Sequence, residues 1–223
     1  MQGGSTSSNC GPRRGGVRPS LIVLHYTGMA SCAEARARLC DPMAEVSAHY
    51  LVAETGAVER LVPEAARAWH AGAGRWGGID DVNSHSIGIE LANPGDVPFP
   101  EPQMAALESL LIEIMVRWDI RPERVIAHSD LAPERKRDPG ARFDWRRLAL
   151  LGLSVWPREG GAERPLVSSL RRFGYGDVAP DALLAAFRLR FRPWATGPEG
   201  AADRRLAADL ARRFPVDGGA AEA

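Results

Sequence analysis

Short apolar runs alternate along this chain with a segment whose apolar residues recur at helical spacing. The runs at residues 21–24, 86–91 and 124–128 each have the length and composition of a buried strand. Residues 102–118 place apolar side chains every three or four positions, which predicts an amphipathic helix. Strands interleaved with helices are typical of α/β proteins, so the sequence predicts a mixed central β-sheet flanked by helices.

Local start and stop patterns predict one more helix and a hairpin. Ser31 and Glu34 have the spacing of a capping box, and Pro42 ends the helix that they begin. Thr55 and Gly56 separate two strand-like runs, which favours a hairpin at this point.

Composition divides the chain into four parts. Residues 1–17 are rich in Gly, Ser and Arg and are expected to be irregular. A Pro-, Gly-, Glu- and Arg-rich stretch predicts a linker at 158–163, after a main domain at 18–157. Residues 164–223 carry three short Leu and Phe patterns at helical spacing, which predict a small three-helix module with a core of its own.

Charge and hydropathy limit the choice of partners. Lys+Arg and Asp+Glu both number 28, so the formal net charge is zero and favours neither nucleic acid nor an anionic membrane. Acidic residues are interspersed among the arginine pairs of the C-terminal third, which argues against a DNA-binding regulator. We see no secretory signal and no membrane-spanning run, and the three cysteines form no disulfide framework. We therefore expect a cytoplasmic location, unless a leader has been removed, and no nucleic-acid or membrane partner.

Two histidines and an aspartate are candidates for a metal site. His25 and His128 each follow a short apolar run, so each imidazole is expected to emerge at a strand end. Asp138 lies in a loop stiffened by Pro133 and Pro139. Two neutral imidazoles and a carboxylate suit zinc and leave a fourth tetrahedral position for water. The alternative is that Asp138 caps the loop and His128 is a hydrogen-bonding group at a strand end.

Glu90 is the charged residue in an otherwise apolar strand. Alternation puts Ile87 and Ile89 on one face and Gly88 and Glu90 on the other. A carboxylate on a half-buried strand is costly unless it serves a partner, and a raised pKa would suit it to act as a general base. The alternative is a side chain that points to solvent. Lys136 could stabilise an oxyanion in the same cavity, or it could be a surface lysine.

Five motifs occur together in the order LIVLHYTG, SAHYLV, AWHAG, SIGIELANPG and IAHSDLAPERKRDPG. As a set they are far more specific than any one of them. They closely resemble the zinc-dependent N-acetylmuramoyl-L-alanine amidases of the type 2 amidase family, which also includes phage lysozyme-type amidases and animal peptidoglycan recognition proteins. The resemblance covers residues 18–157.

The resemblance implies a mixed sheet flanked by helices, with one zinc ion held in a substrate groove. By position in the motifs, His25, His128 and Asp138 would be the zinc ligands. Glu90 matches the catalytic glutamate of the family and Lys136 its catalytic lysine.

The resemblance also implies substrate contacts. Trp69 and His70 lie in a motif that borders the groove, and Asn93 is expected to hydrogen-bond the stem peptide. The C-terminal segment resembles a three-helix peptidoglycan-binding module, although the usual Phe-Gln pair is here Phe187 followed by Arg188. A packing appendage is the alternative.

The reaction that the resemblance implies is hydrolysis of the amide between N-acetylmuramic acid and the L-alanine of the stem peptide. Because the sequence shows no secretory signal, soluble anhydromuropeptides of peptidoglycan recycling are the expected substrate. One alternative is an exported hydrolase that acts on the intact wall. Another is a non-catalytic peptidoglycan-binding protein, but such proteins typically lack one zinc ligand, and here all three are present.

Overall fold

The computed structural model describes residues 7–216. Within that range the strands are β1 (Cys10–Pro12), β2 (Leu21–Tyr26), β3 (Tyr50–Val52), β4 (Val58–Arg60), β5 (Ala66–Ala68), β6 (Ser86–Leu91) and β7 (Val125–Ala127). The α-helices are α1 (Cys32–Cys40), α2 (Val82–His85), α3 (Glu101–Trp118), α4 (His128–Leu131), α5 (Trp145–Leu150), α6 (Leu166–Phe173), α7 (Pro180–Phe191) and α8 (Ala201–Arg213).

Five of the strands form one sheet in the order β4-β3-β6-β2-β7. β2 pairs in parallel with both β6 and β7, and β3 also pairs in parallel with β6, whereas β4 is an antiparallel edge strand. The prediction of a mixed central sheet flanked by helices is therefore confirmed. Because β6, β2 and β7 are parallel neighbours, their carboxyl ends meet at one edge of the sheet.

The two faces of β2 bury different partners. Ile22 and Leu24 belong to the apolar core formed with α3, while Leu21 and Val23 belong to the core formed with α6 and α7. Successive side chains of a strand point to opposite faces. His25 therefore emerges on the same face as Val23, opposite the face that α3 covers.

The helix expected at 102–118 is confirmed as α3, which ends where Asp119 adopts a left-handed conformation with φ 55°. Ser31 caps α1 as expected, because its hydroxyl accepts a hydrogen bond from the Glu34 N–H at 3.2 Å. The hairpin at Thr55 and Gly56 is confirmed as the antiparallel pair β3–β4. Four apolar residues at helical spacing in α3 are buried, namely Met104, Leu107, Leu111 and Ile114, whereas Met115 and Trp118 are partly buried.

The N-terminal segment differs from the expectation of irregular structure at 1–17. Residues 1–6 lie outside the described part of the chain, but β1 pairs with β5 and holds it in place. Arg13, next to β1, is buried and donates hydrogen bonds to the carbonyl oxygens of Glu64 at 2.7 Å, Ser84 at 2.6 Å and Ser86 at 3.0 Å. Composition carries no information on such a long-range anchor, because a Gly- and Arg-rich segment looks like a loop.

The three C-terminal helices form at the predicted positions, but their core is not separate from that of the sheet. Leu170, Phe173 and Phe187 pack in one continuous cluster with Val23 and Ile126 of the sheet. The reason is that the apolar faces of these helices are turned towards the sheet as well as towards one another. A division of the chain near residue 157 into an amidase domain and a peptidoglycan-binding-like module stays a prediction.

None of the helices in the described part of the chain combines the length and the apolar character that a membrane span requires. The cytoplasmic location expected above is not tested by this observation and stays a prediction.

Candidate active site

Parallel strand ends bring the candidate residues to one edge of the sheet. His25 and Glu90 are register partners on β2 and β6. His128 follows β7 directly and begins α4. Asp138 reaches the same edge from the loop after α4, where its carbonyl oxygen accepts a hydrogen bond from the Ser129 N–H at 3.0 Å.

The three predicted metal ligands converge. Nδ1 of His25 lies 2.9 Å from Nδ1 of His128, and each of these atoms lies 2.9 Å from Oδ2 of Asp138. All three residues are buried, and their donor atoms form a group that could hold a metal ion. The alternative, in which Asp138 serves only as a loop cap, does not account for this convergence.

A hydrogen-bonded chain behind His25 determines which of its ring nitrogens carries the proton. Ser86 donates its hydroxyl hydrogen to the carbonyl of Val82 at 2.6 Å, so its oxygen accepts from Nε2 of His70 at 3.1 Å. Nδ1 of His70 is then an acceptor, and it lies 3.1 Å from Nε2 of His25. Nε2 of His25 is therefore the protonated nitrogen, and its Nδ1 lone pair points at the other two ligands.

The same reasoning applies to His128. Its Nε2 lies 2.9 Å from the carbonyl oxygen of Ala71, which can only accept, so Nδ1 carries the lone pair of the neutral ring. Burial, followed by the proximity of His128, lowers the pKa of His25 to about 4 and keeps the His25 ring neutral. Two lone pairs and a carboxylate oxygen that face one another are unfavourable unless a cation lies among them. This donor set fits Zn²⁺.

Glu90 lies beside this donor set with one oxygen unsatisfied. Among the described residues its buried Oε2 has no hydrogen-bond partner. Burial raises the pKa of Glu90 well above its usual range, the charge of Asp138 adds to the rise, and Lys136 opposes it. A buried carboxyl group with a free oxygen and a raised pKa is suited to receive and release a proton.

These side chains line a cleft of about 540 Å³. Lys136 lies on its wall and is the single lysine of the 223-residue sequence. Trp69 is half-buried and also lines the cleft, as do Arg38 and Arg137. The cleft therefore combines an acidic and a basic side chain, an aromatic surface and further positive charge around the metal ligands.

Two of the three residues expected to contact substrate are engaged within the protein. His70 reaches the cleft wall, but both of its ring nitrogens are used in the chain behind His25. Asn93 is 2% exposed, and its side chain accepts from the Gly95 N–H at 2.7 Å and donates to the Val97 carbonyl at 3.3 Å. Asn93 therefore shapes the loop after β6, and its contact with the stem peptide stays a prediction.

Sequence reasoning missed Ser86 and the backbone carbonyl of Ala71, which orient the two histidine ligands. Ser86 was detectable in principle, since it is a polar residue at the start of an apolar strand. The Ala71 carbonyl left no trace in the sequence, because any residue would supply one.

A mixed sheet with a three-donor metal site, a buried carboxyl group and a lysine at one edge defines a hydrolase site with a candidate metal centre. The chain belongs to the N-acetylmuramoyl-L-alanine amidase family, which it matches over residues 15–141. The predicted family is therefore confirmed. So is the prediction of an enzyme that hydrolyses the amide between N-acetylmuramic acid and L-alanine.

Two relatives illustrate the similarity in sequence. The N-acetylmuramoyl-L-alanine amidase AmiD of Escherichia coli (strain K12) is 36% identical, over 86% of this chain and 82% of the relative. The 1,6-anhydro-N-acetylmuramyl-L-alanine amidase AmpD of Haemophilus influenzae (strain ATCC 51907 / DSM 11121 / KW20 / Rd) is 40% identical, over 46% of this chain and 56% of the relative.

Solved structures show the same fold. AmiD from E. coli, in complex with anhydro-N-acetylmuramic acid-L-Ala-D-γ-Glu-L-Lys, matches with a TM-score of 0.79 and 35% identity over 91% of this chain and 92% of that one. AmpDh3 from Pseudomonas aeruginosa, in complex with anhydromuramic pentapeptide, matches with a TM-score of 0.81 and 28% identity over 96% of this chain and 100% of that one.

Proposed function

We propose that this amidase acts on soluble 1,6-anhydromuropeptides in peptidoglycan recycling and uses one zinc ion. The observation that carries the proposal is the convergence of His25, His128 and Asp138 in the cleft that also holds Glu90 and Lys136. The two structural relatives named above were solved with anhydromuramyl peptides, which supports the 1,6-anhydro sugar as the substrate form.

His25, His128 and Asp138 would hold the zinc through Nδ1, Nδ1 and a carboxylate oxygen. When bound, zinc supplies Lewis-acid polarisation of the scissile carbonyl and makes a water molecule a stronger nucleophile. The role of the protein in this is to fix the ring orientations. Hydrogen bonds to the far nitrogens of both imidazoles do so, through His70 for His25 and through the Ala71 carbonyl for His128.

Glu90 would move the proton. Its Oε2 has no partner among the described residues and can accept the proton of the attacking water. The same carboxyl group then holds that proton until the C–N bond breaks and donates it to the nitrogen of the departing L-alanine. The proton therefore passes from water to amine through one carboxyl group, and Glu90 returns to its starting state.

Lys136 would stabilise the negative charge that develops on the carbonyl oxygen in the tetrahedral intermediate. It lies on the wall of the cleft with Glu90 and interacts electrostatically with that carboxyl group. Trp69 offers its half-buried ring to the same cleft and would pack against the sugar or the peptide.

The test is mass spectrometry of products from two substrates, each with and without prior chelation. We expect chelator-sensitive release of free peptide from soluble anhydro-N-acetylmuramyl-tripeptide and none from purified wall sacculi. Release from sacculi would instead assign the protein to hydrolysis of the intact wall. Release from neither would contradict the proposal, and release that resists chelation would contradict the role of zinc. The cytoplasmic location stays a prediction, and cell fractionation would test it.

A further inference from the structure

A buried charge cluster joins the C-terminal helices to the edge of the sheet that carries the metal ligands. Asp130 lies in α4 and is fully buried, and the side chain of Arg190 in α7 is buried beside it. Nη1 of Arg190 donates to Oδ2 of Asp130, and the hydroxyl of Tyr175 donates to Oδ1 at 2.6 Å. Asp130 is therefore a cap at the start of α4 whose side chain solvent does not reach.

Asp130 acts on the backbone next to a metal ligand. Its Oδ2 accepts a hydrogen bond at 2.9 Å from the N–H of Ala127, the residue that directly precedes His128 in the chain. Arg190 holds the other end of the same strand, because its Nη2 donates to the Val125 carbonyl at 3.0 Å. The guanidinium is itself fixed by the Trp145 ring, whose centroid lies 4.3 Å away. The cluster therefore clamps β7 at both ends, and β7 leads straight into His128.

A buried ion pair is weak grounds for stability, because the loss of hydration offsets much of the attraction. What such a pair does supply is a fixed position, since each hydrogen bond of a planar guanidinium sets a direction. Here the position being set is that of the backbone that carries His128. The partners of Asp130 come from a segment that was expected to be a separate module.

We propose that Arg190 and Tyr175 position His128 for metal binding by holding Asp130, so that the C-terminal helices are part of the support of the metal site. The inference rests on the proposed zinc site. Arg190 and Tyr175 are positioning residues, because both act through Asp130 and the backbone of β7.

The same helix offers a matched control. Arg188, two residues before Arg190, donates at 2.7 Å to Asp203, which is also fully buried. Arg188 and Asp203 both belong to the C-terminal helices, and neither belongs to the metal-site edge. Arg188→Gln therefore removes an arginine partner from a second fully buried carboxylate without touching the clamp.

The experiment measures the affinity of the full chain for Zn²⁺ by competition with a chromophoric chelator, for the wild type, Arg190→Gln and Arg188→Gln. The absorption spectrum of Co²⁺ in the same proteins gives a second readout of ligand geometry. We expect Arg190→Gln to weaken zinc binding about tenfold and to alter the cobalt bands. Arg188→Gln should retain the zinc affinity and the cobalt spectrum of the wild type, although we expect both variants to have a lower unfolding temperature.

The outcomes separate the inference from the proposed function. Wild-type zinc affinity and an unchanged cobalt spectrum in folded Arg190→Gln would overturn the inference alone. An equal loss of zinc affinity in Arg190→Gln and Arg188→Gln would do the same. A wild-type protein that binds no zinc would overturn the proposed metal site and the inference with it. If Arg190→Gln does not fold, Tyr175→Phe decides, because it removes one hydrogen bond to Asp130 without a change of charge. We expect it to weaken zinc binding about threefold, and unchanged binding would overturn the inference.

Discussion

His25 and Glu90 are paired across two parallel strands, β2 and β6, in the register of the central sheet. Neighbouring strands lie about 4.8 Å apart, and paired residues project to the same face. Backbone hydrogen bonds therefore set the distance between a candidate metal ligand and the candidate base. A slip of one residue in this register would turn one of the two side chains to the opposite face and destroy the site.

Glu90→Gln tests the proton transfer. The amide keeps the shape of the side chain but cannot take a proton, so we expect kcat to fall by about 10³-fold. Bound zinc, measured by metal analysis of the purified protein, should stay at the wild-type level, because Glu90 is not one of the converging donors. A Gln variant with near-normal kcat would exclude Glu90 as the base.

Lys136→Met tests the oxyanion role, and we expect kcat to fall by about 10²-fold with zinc retained. Because Lys136 is the single lysine, amine-directed chemistry gives an independent check. Acetylation removes the positive charge and should inactivate the wild type, whereas reductive methylation keeps the charge and should spare it. Acetylation that leaves wild-type activity intact would argue that Lys136 is only a surface residue.

Ser86→Ala tests the chain that orients His25. Without the hydroxyl, Nε2 of His70 loses its acceptor, so we expect zinc affinity to fall by about tenfold. Nitrogen-15 NMR of the imidazole rings would show the tautomers of His70 and His25 shifting. Ser84→Ala is the control, because Ser84 is also buried, but its hydroxyl donates a hydrogen bond to Asp81 and accepts one from the Arg14 N–H. Equal zinc affinities in the two variants would contradict the proposed chain.

Gly88→Ala tests how closely β6 and His70 pack. A Cβ at position 88 would lie 2.3 Å from Cγ of His70, whose ring is held on both sides and cannot give way. We expect the free energy of unfolding in urea to drop by about 3 kcal/mol. Gly11→Ala is the matched strand control, since nothing lies within 4 Å of its added Cβ. Similar losses in both variants would mean that the close contact does not matter.

His49 should make the protein sensitive to acid. Burial lowers the pKa of His49 to about 4, although a hydrogen bond to the Ala66 carbonyl opposes the shift. In the unfolded state the pKa of His49 is near 6.5, so the unfolded chain binds the extra proton first as the pH falls. The contribution of His49 to the free energy of unfolding is therefore fully present above pH 6.5 and is lost as the pH falls towards 4. In urea unfolding, the free energy of unfolding of the wild type falls between pH 7 and pH 5, and we expect His49→Gln to reduce that fall by about 2 kcal/mol. An unchanged loss would show that His49 is not a source of the acid sensitivity.

The local parts of the fold were predictable from the sequence, because period and composition are local properties. The apolar spacing predicted α3, and the alternation in 86–91 placed Glu90 on the face opposite Ile87 and Ile89, as the structure shows. The candidate metal ligands were recognised from motifs that lie far apart in the chain. Residue type and spacing alone left a loop cap as a valid alternative for Asp138.

Long-range pairing was not predictable, because a single sequence records no contact between distant residues. Arg13 lies in a segment that looks like a loop, yet it is buried against carbonyl oxygens from two distant segments, at Glu64 and at 83–86. Asp130 and Arg190 are separated by 60 residues, and each alone has the properties of a surface charge. The hydrogen bonds of the Asn93 amide within the following loop were likewise not predictable, since the motif does not reveal them.

The spacing of the ligands along the chain has a consequence for biosynthesis. His25 precedes His128 by 103 residues and Asp138 by 113. A nascent chain that ends before His128 carries only one of the three donors, so the site cannot assemble while the ribosome is still making the first half of the protein. Pairing of β2 with β7 must close this long loop, which is a slow step. At the proposed zinc site, metal binding would therefore be a late event, and the ion would stabilise a finished sheet edge without guiding the earlier strands to it.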